Sequence, residues 1–182
     1  VSPPTGSAGG IPRQSLRKRP RRRSKPFISS QKRLPHSILC SSRFLCILKT
    51  YVKLFISPVG LWCSPWPEQA LRANIHCQIS LALNRIYTEW YPSKGYTFNI
   101  TNSTSYDQYY VHGRTVFEVM VRITDDIFNT YLRKSGTVNP YYSEYCDGKS
   151  VTCPGLKQWG TVTLANNGRS ALQILRYYYG SS

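Results

Sequence analysis

No aspartate or glutamate precedes Glu68. Residues 1–67 carry 13 Lys/Arg and no acid, whereas residues 68–182 carry 11 Lys/Arg and 8 Asp/Glu, so +13 of the chain's net +16 lies in the first third. Ordinary usage would place roughly eight acidic side chains in such a stretch. A segment with charge of one sign and runs such as "RKRPRRRSKP", Arg17 to Pro26, reads as a solvated tail. Pro, Ser, Arg and Lys dominate it early and Leu, Ile and Cys later, with no sustained period. Residues 1–64 are therefore expected to be a disordered basic arm or an out-of-frame translation, and the fold is expected from residue 65 to about residue 180 as one ordinary domain.

The basic run could neutralise phosphates. The nearly balanced charge of residues 68–182 would add few such contacts, so nucleic acid is not the expected partner class. Between Ile38 and Cys63 an apolar stretch raises a membrane question. Arg43, Lys49 and Lys53 interrupt it, and no run approaches the roughly 18 apolar residues that a spanning helix needs. Its position is also too late for the apolar core of a signal peptide. Neither a transmembrane helix nor an export signal is expected.

The folded part opens with Pro67 and Glu68, a proline suited to a first helical turn and a carboxylate at the positive helix end. Leu71, Ile75, Ile79, Ala82, Ile86 and Trp90 recur at three or four residues, which predicts a long amphipathic helix ended by Pro92 and Gly95. "YTFNITNST" predicts a short strand. Its Asn99-Ile-Thr and Asn102-Ser-Thr fit a glycosylation pattern but read better as turn chemistry. A second long helix is predicted over "RTVFEVMVRITDDIFNTYLRK" and a hairpin over "TVNPYYSEYCDGKSVTC", turning at Asp147-Gly148. Two short helices follow, one closed by Gly168 and one running from Ser170 to Gly180. The expected class is α+β: a single small domain with two long amphipathic helices, a small antiparallel sheet and short C-terminal helices.

Six cysteines show no C-x-x-C spacing. Only Cys146 and Cys153 flank one compact turn, where either a disulfide or half a metal site could close.

Four segments in order carry a resemblance: "WPEQALRANIHCQISLALNRIY", "STSYDQYYVHG", "YYSEYCDGKSVT" and "GLKQWGTVTLANNGRSALQILRYYYG". The last is similar to the closing segment of the stage II sporulation protein D and amidase-enhancer family, with its G-x-S-Q-W-G turn, alanine-rich helix and I-L-x-x-Y-Y helix. The resemblance covers residues 65 to 180 and is nearest the clostridial subgroup often joined to peptidoglycan-binding repeats.

The resemblance implies sporulation-associated work on peptidoglycan glycan strands by lytic transglycosylation, a cell-wall amidase as a possible partner, and a place at the cell envelope or the forespore–mother cell interface. That chemistry needs one carboxylic acid to protonate the glycosidic oxygen, after which a sugar hydroxyl closes an anhydro ring. The family's glutamate position falls near Leu61, so the acid is missing and the chain is expected to be inactive in cutting; a non-catalytic peptidoglycan-binding or amidase-enhancing module is the alternative. Glu68 is the nearest substitute, but a carboxylate at a helix start is already explained by the dipole. Glu89, Asp107, Glu144 and Asp147 carry no mark of catalysis.

Gln108, Tyr109, Tyr145, Gln158 and Trp159 are the expected groove residues. Some family members bind zinc; here the ligands would be Cys146, Cys153 and a distant His112 or His76, which is weak, and no cofactor is expected. The tyrosine clusters at 109–110, 141–142 and 177–179 suit sugar stacking or, more simply, core and rim packing.

Overall fold

The computed structural model describes residues 28–33, 66–109 and 117–180. In chain order the elements are β1 (Ile28–Arg33), α1 (Glu68–Tyr87), a 3₁₀ turn (Pro92–Lys94), α2 (Glu118–Ile127), β2 (Thr130–Lys134), β3 (Tyr145–Cys146), β4 (Leu156–Lys157), α3 (Gln158–Asn166) and α4 (Ala171–Tyr179). The domain is small and α+β, as its composition of periods implies.

Helix α1 is its axis. Fourteen of its twenty residues are buried, so it is enclosed by the fold instead of presenting one apolar stripe. Leu71, Ile75 and Ile79 meet Met120, Ile123, Phe128 and Tyr131 in one apolar cluster, with Trp66 at its edge. Ala73 and Cys77 meet Leu132, Leu156, Ile174, Leu175 and Tyr179 in a second. A helix with core on two sides cannot be amphipathic, which corrects that expectation. Two of its buried polar side chains tie it to its surroundings: Asn74 Nδ2 donates to Thr161 Oγ1 at 2.8 Å, and Ser80 Oγ accepts from the Leu132 amide at 2.8 Å.

Helix α2 does carry one apolar face, with Met120, Ile123 and Ile127 buried, but it is short. The expected continuation to Lys134 is replaced by β2. Thr130 Oγ1 donates to the Ile127 carbonyl at 2.7 Å across the turn, and Tyr131 and Leu132 then enter opposite clusters. That alternation is a strand's period of two. β2 pairs antiparallel with β1, from Arg33 opposite Thr130 to Ile28 opposite Lys134, with an irregularity between Ile28 and Ser30. A strand thus lies within the segment expected to be disordered.

The expected hairpin at Asp147-Gly148 is also corrected. β3 pairs with β4 in parallel, Tyr145 beside Leu156 and Cys146 beside Lys157. A Cys146–Cys153 disulfide closes the loop between them, so the chain turns back on itself before the pairing partner arrives. Residues 96–104 form bends and turns where a strand was expected. The C-terminal helices follow the sequence closely: Ser170 Oγ accepts from the Gln173 amide at 3.4 Å while Gln173 Oε1 accepts from the Ser170 amide at 2.9 Å, a complete capping box ahead of α4. Among the described residues no helix is long and apolar enough to cross a membrane.

Candidate functional site

The Gln158-Trp159 turn is flanked by two glycines in close contact with their neighbours, the first of them against backbone. A Cβ at Gly155 would collide with the Glu144 carbonyl oxygen, and one at Gly160 with the Tyr178 hydroxyl. These close approaches set β4 against the 141–146 segment and α3 against α4. Gln158 is buried, and Thr161 Oγ1 donates to its carbonyl at 2.6 Å while accepting from Asn74. Trp159 is half-buried, its ring 5.0 Å from that of Trp66 in an edge-on contact.

The disulfide loop lies over the same turn. The Trp159 amide donates to the Asp147 carbonyl at 3.1 Å, and Lys149 Nζ stands 3.3 Å from the centre of the indole. The Asp147 carboxylate accepts from the amides of Lys149, Ser150 and Val151 at 3.0, 3.0 and 2.9 Å and from the Ser150 hydroxyl. The Ser150 bond first, and the backbone amides after it, hold this carboxyl well below the usual range. Asp147 therefore shapes the loop as an anion. With Cys146 and Cys153 joined to each other, the zinc reading loses both of its thiolates. His112 lies outside the described residues, and His76 is buried in α1 with its pKa pushed down to about 4 by burial first and then by the Arg72 charge. Among the described residues no group of three or more potential ligands is placed to hold a metal ion.

The other two expected groove residues enter from the excursion between α1 and α2. Gln108 is buried, its Nε2 donating to the Gln78 carbonyl of α1 at 3.1 Å; Tyr109 is exposed. One residue earlier on α1, the Cys77 carbonyl accepts from Ser143 Oγ at 2.7 Å, which fixes the segment leading into Tyr145. Tyr145 is thus brought to the strand that leads into Gln158 and Trp159 by the β3–β4 pairing, whereas Gln108 is fixed to α1 at Gln78. Burial pushes the Tyr145 phenol far up, which keeps it protonated.

Sequence reasoning gave Asp107 no role, yet it organises the whole excursion. Its side chain is fully buried and bonds Arg85 Nε at 2.5 Å, Tyr91 OH at 2.5 Å, and the Thr101 amide and hydroxyl at 2.9 and 2.7 Å. Burial pushes its pKa up, but the bonds from Tyr91, Thr101 and Arg85 outweigh burial and leave it lowered. The Arg85 guanidinium also donates to the Tyr106 carbonyl at 3.1 Å and stacks 4.4 Å from the Tyr142 ring. The only sequence signal for this arrangement is the crowding of aromatic residues from Tyr87 to Tyr109.

Glu68 lines an open cleft of about 380 Å³ with Gln69, Arg72, His76, Ile127 and Ser170. It accepts from Arg72 Nε at 2.8 Å and Arg122 Nη2 at 3.0 Å, and these bonds, Arg72 first, lower its pKa. Arg72 also bridges Asp126 at 2.6 Å. The cleft is lined by opposite charges that already satisfy one another. The position near Leu61, where the family's glutamate would fall, is outside the described residues.

No protein-family model, curated protein or solved structure matches the chain.

Proposed function

We propose that the chain is a peptidoglycan-directed domain of the stage II sporulation protein D type that holds glycan strands without cutting them. The resemblance carried by residues 65 to 180 supports the first half. The second half rests on one observation: Glu68, the carboxylate nearest the expected place of the general acid, is held ionised between Arg72 and Arg122. A general acid must carry its proton near the working pH, and a carboxylate with a lowered pKa has already lost it. Asp107 and Asp147, also lowered, are committed to structural bonds in the same way.

The test uses the full chain and peptide-free glycan strands. Co-sedimentation with the strands, and no anhydro-terminated sugars by mass spectrometry of the supernatant, is the expected result. Release of anhydro products overturns the non-cutting half; failure to bind the strands overturns the whole reading.

A further inference from the structure

Among the described residues, six of the ten large apolar side chains that stand exposed fall within residues 87–109: Tyr87, Trp90, Tyr96, Phe98, Tyr106 and Tyr109. Exposed apolar residues are ordinarily scattered singly, and a concentration of them marks a contact surface. They are not equivalent. Trp90 is already engaged by cations, with Lys94 Nζ 3.5 Å and the Arg85 guanidinium 4.8 Å from its ring centre. Tyr96 and Phe98 lie against each other, ring centres 5.1 Å apart and planes tilted by 38°, and both rest on the buried Tyr91 at 6.0 and 4.9 Å. Tyr91 is in turn fixed by its hydroxyl to Asp107. The pair is therefore exposed yet mounted on a buried, bonded base, so little side-chain freedom remains to be lost on binding.

Charge narrows the ligand. Among the described residues of this excursion the exposed side chains with full charges are Glu89 and Lys94, of opposite sign, and Asp107 is compensated by Arg85 beneath the surface. Those two charges give no concentrated attraction to a phosphate-rich ligand, although the chain as a whole is strongly basic. A lipid surface would call for cations and aliphatic side chains, whereas the one lysine here is stacked on Trp90. What fits is a ligand with flat C–H faces for the rings and hydroxyls for phenol edges and the exposed Asn99 next in the chain.

We propose that Tyr96 and Phe98, supported from below by Tyr91, form a stacking site for sugar rings of a glycan strand. The assignment rests on the glycan-strand reading above and names the surface that does the holding.

Binding of the full chain to peptide-free glycan strands is compared with that of Tyr96→Ala/Phe98→Ala, of the ring-preserving Tyr96→Phe/Phe98→Tyr, and of Tyr177→Ala, which removes an exposed ring on α4. The double alanine variant is expected to bind about tenfold or more weakly, and the other two within about twofold of the parent chain. Circular dichroism checks folding, and Phe98→Ala alone carries the test if the double variant unfolds. Parent-like binding by the alanine variant overturns the site and leaves the glycan reading standing. No binding by the parent chain overturns both. A matching loss in Tyr177→Ala, or binding to vesicles of 30% anionic lipid that disappears in the alanine variant, overturns the assignment in favour of nonspecific stacking or a membrane surface.

Discussion

Leu71, Ile75 and Ile79 on α1 are held by apolar neighbours, whereas residues 88–109, which follow directly, are tied down by polar bonds converging on one carboxylate. Apolar burial is spread over many contacts and loses little when one is weakened. A buried ion pair is concentrated: two charges have been taken out of water, and removing one leaves the other uncompensated. The excursion that carries the exposed rings is therefore the more fragile of the two regions.

The largest effect is expected from Asp107→Ala, which strands Arg85 and should cost about 3–5 kcal/mol in denaturant melts. Hydrogen exchange should rise first in 88–109. Equal, simultaneous loosening of α1 would break the distinction.

Acid should then separate the regions by pH. The folded His76 titrates at about 4 against an ordinary 6.5, so the unfolded chain takes up its proton first and stability falls as pH drops from about 6.5 towards 4. The loss is of the order of 3 kcal/mol. It acts through α1, and His76→Leu should flatten the slope. Asp107, with its pKa lowered from 3.8, contributes stability that is complete above that ordinary value and disappears only at more acid pH. A flat stability curve between pH 7 and 4 would remove His76 from the account.

Reduction of the Cys146–Cys153 disulfide, which belongs to neither region, should cost about 2.5 kcal/mol from loop closure. It should also free the Lys149–Trp159 contact, seen as a change in tryptophan fluorescence, with hydrogen exchange in 88–109 unaltered. Smallest is Ser170→Ala, which removes the cap of a helix packed on α1 and should lower stability by about 1 kcal/mol without loosening the excursion.

How much of this was legible depends on whether the deciding partner is close in sequence. α4 was readable at both ends because Ser170, Gln173 and Gly180 act within one turn of the helix. The start of α1 at Pro67 and Glu68 was readable for the same reason. α2 was overrun because Met120, Ile123, Ile127 and Tyr131 keep helical spacing beyond the true end. What converts 130–134 into a strand is β1, about a hundred residues earlier, together with Ser80 of α1. The Asp147-Gly148 signal was real as local chemistry, since Asp147 gathers three amides, but the pairing partner comes after the disulfide. For the site, the spacing of "GLKQWG" was visible but not the approach of the Glu144 carbonyl that makes Gly155 obligatory. Asp107 looked like any other carboxylate, because nothing in a string of letters places Arg85, Tyr91 and Thr101 around it.

The enclosure of α1 also fixes when this domain can come into being. The Cys77 thiol lies 3.3 Å from the Tyr179 hydroxyl, and the Gln69 amide oxygen accepts from the Ala171 amide at 2.9 Å, so the first long helix is sealed by the last, about a hundred residues later. A nascent chain emerging from the ribosome would carry α1 with one of its two apolar sides bare until residues 171–179 had cleared the exit tunnel. Over that interval the uncovered apolar surface is open to association with other chains.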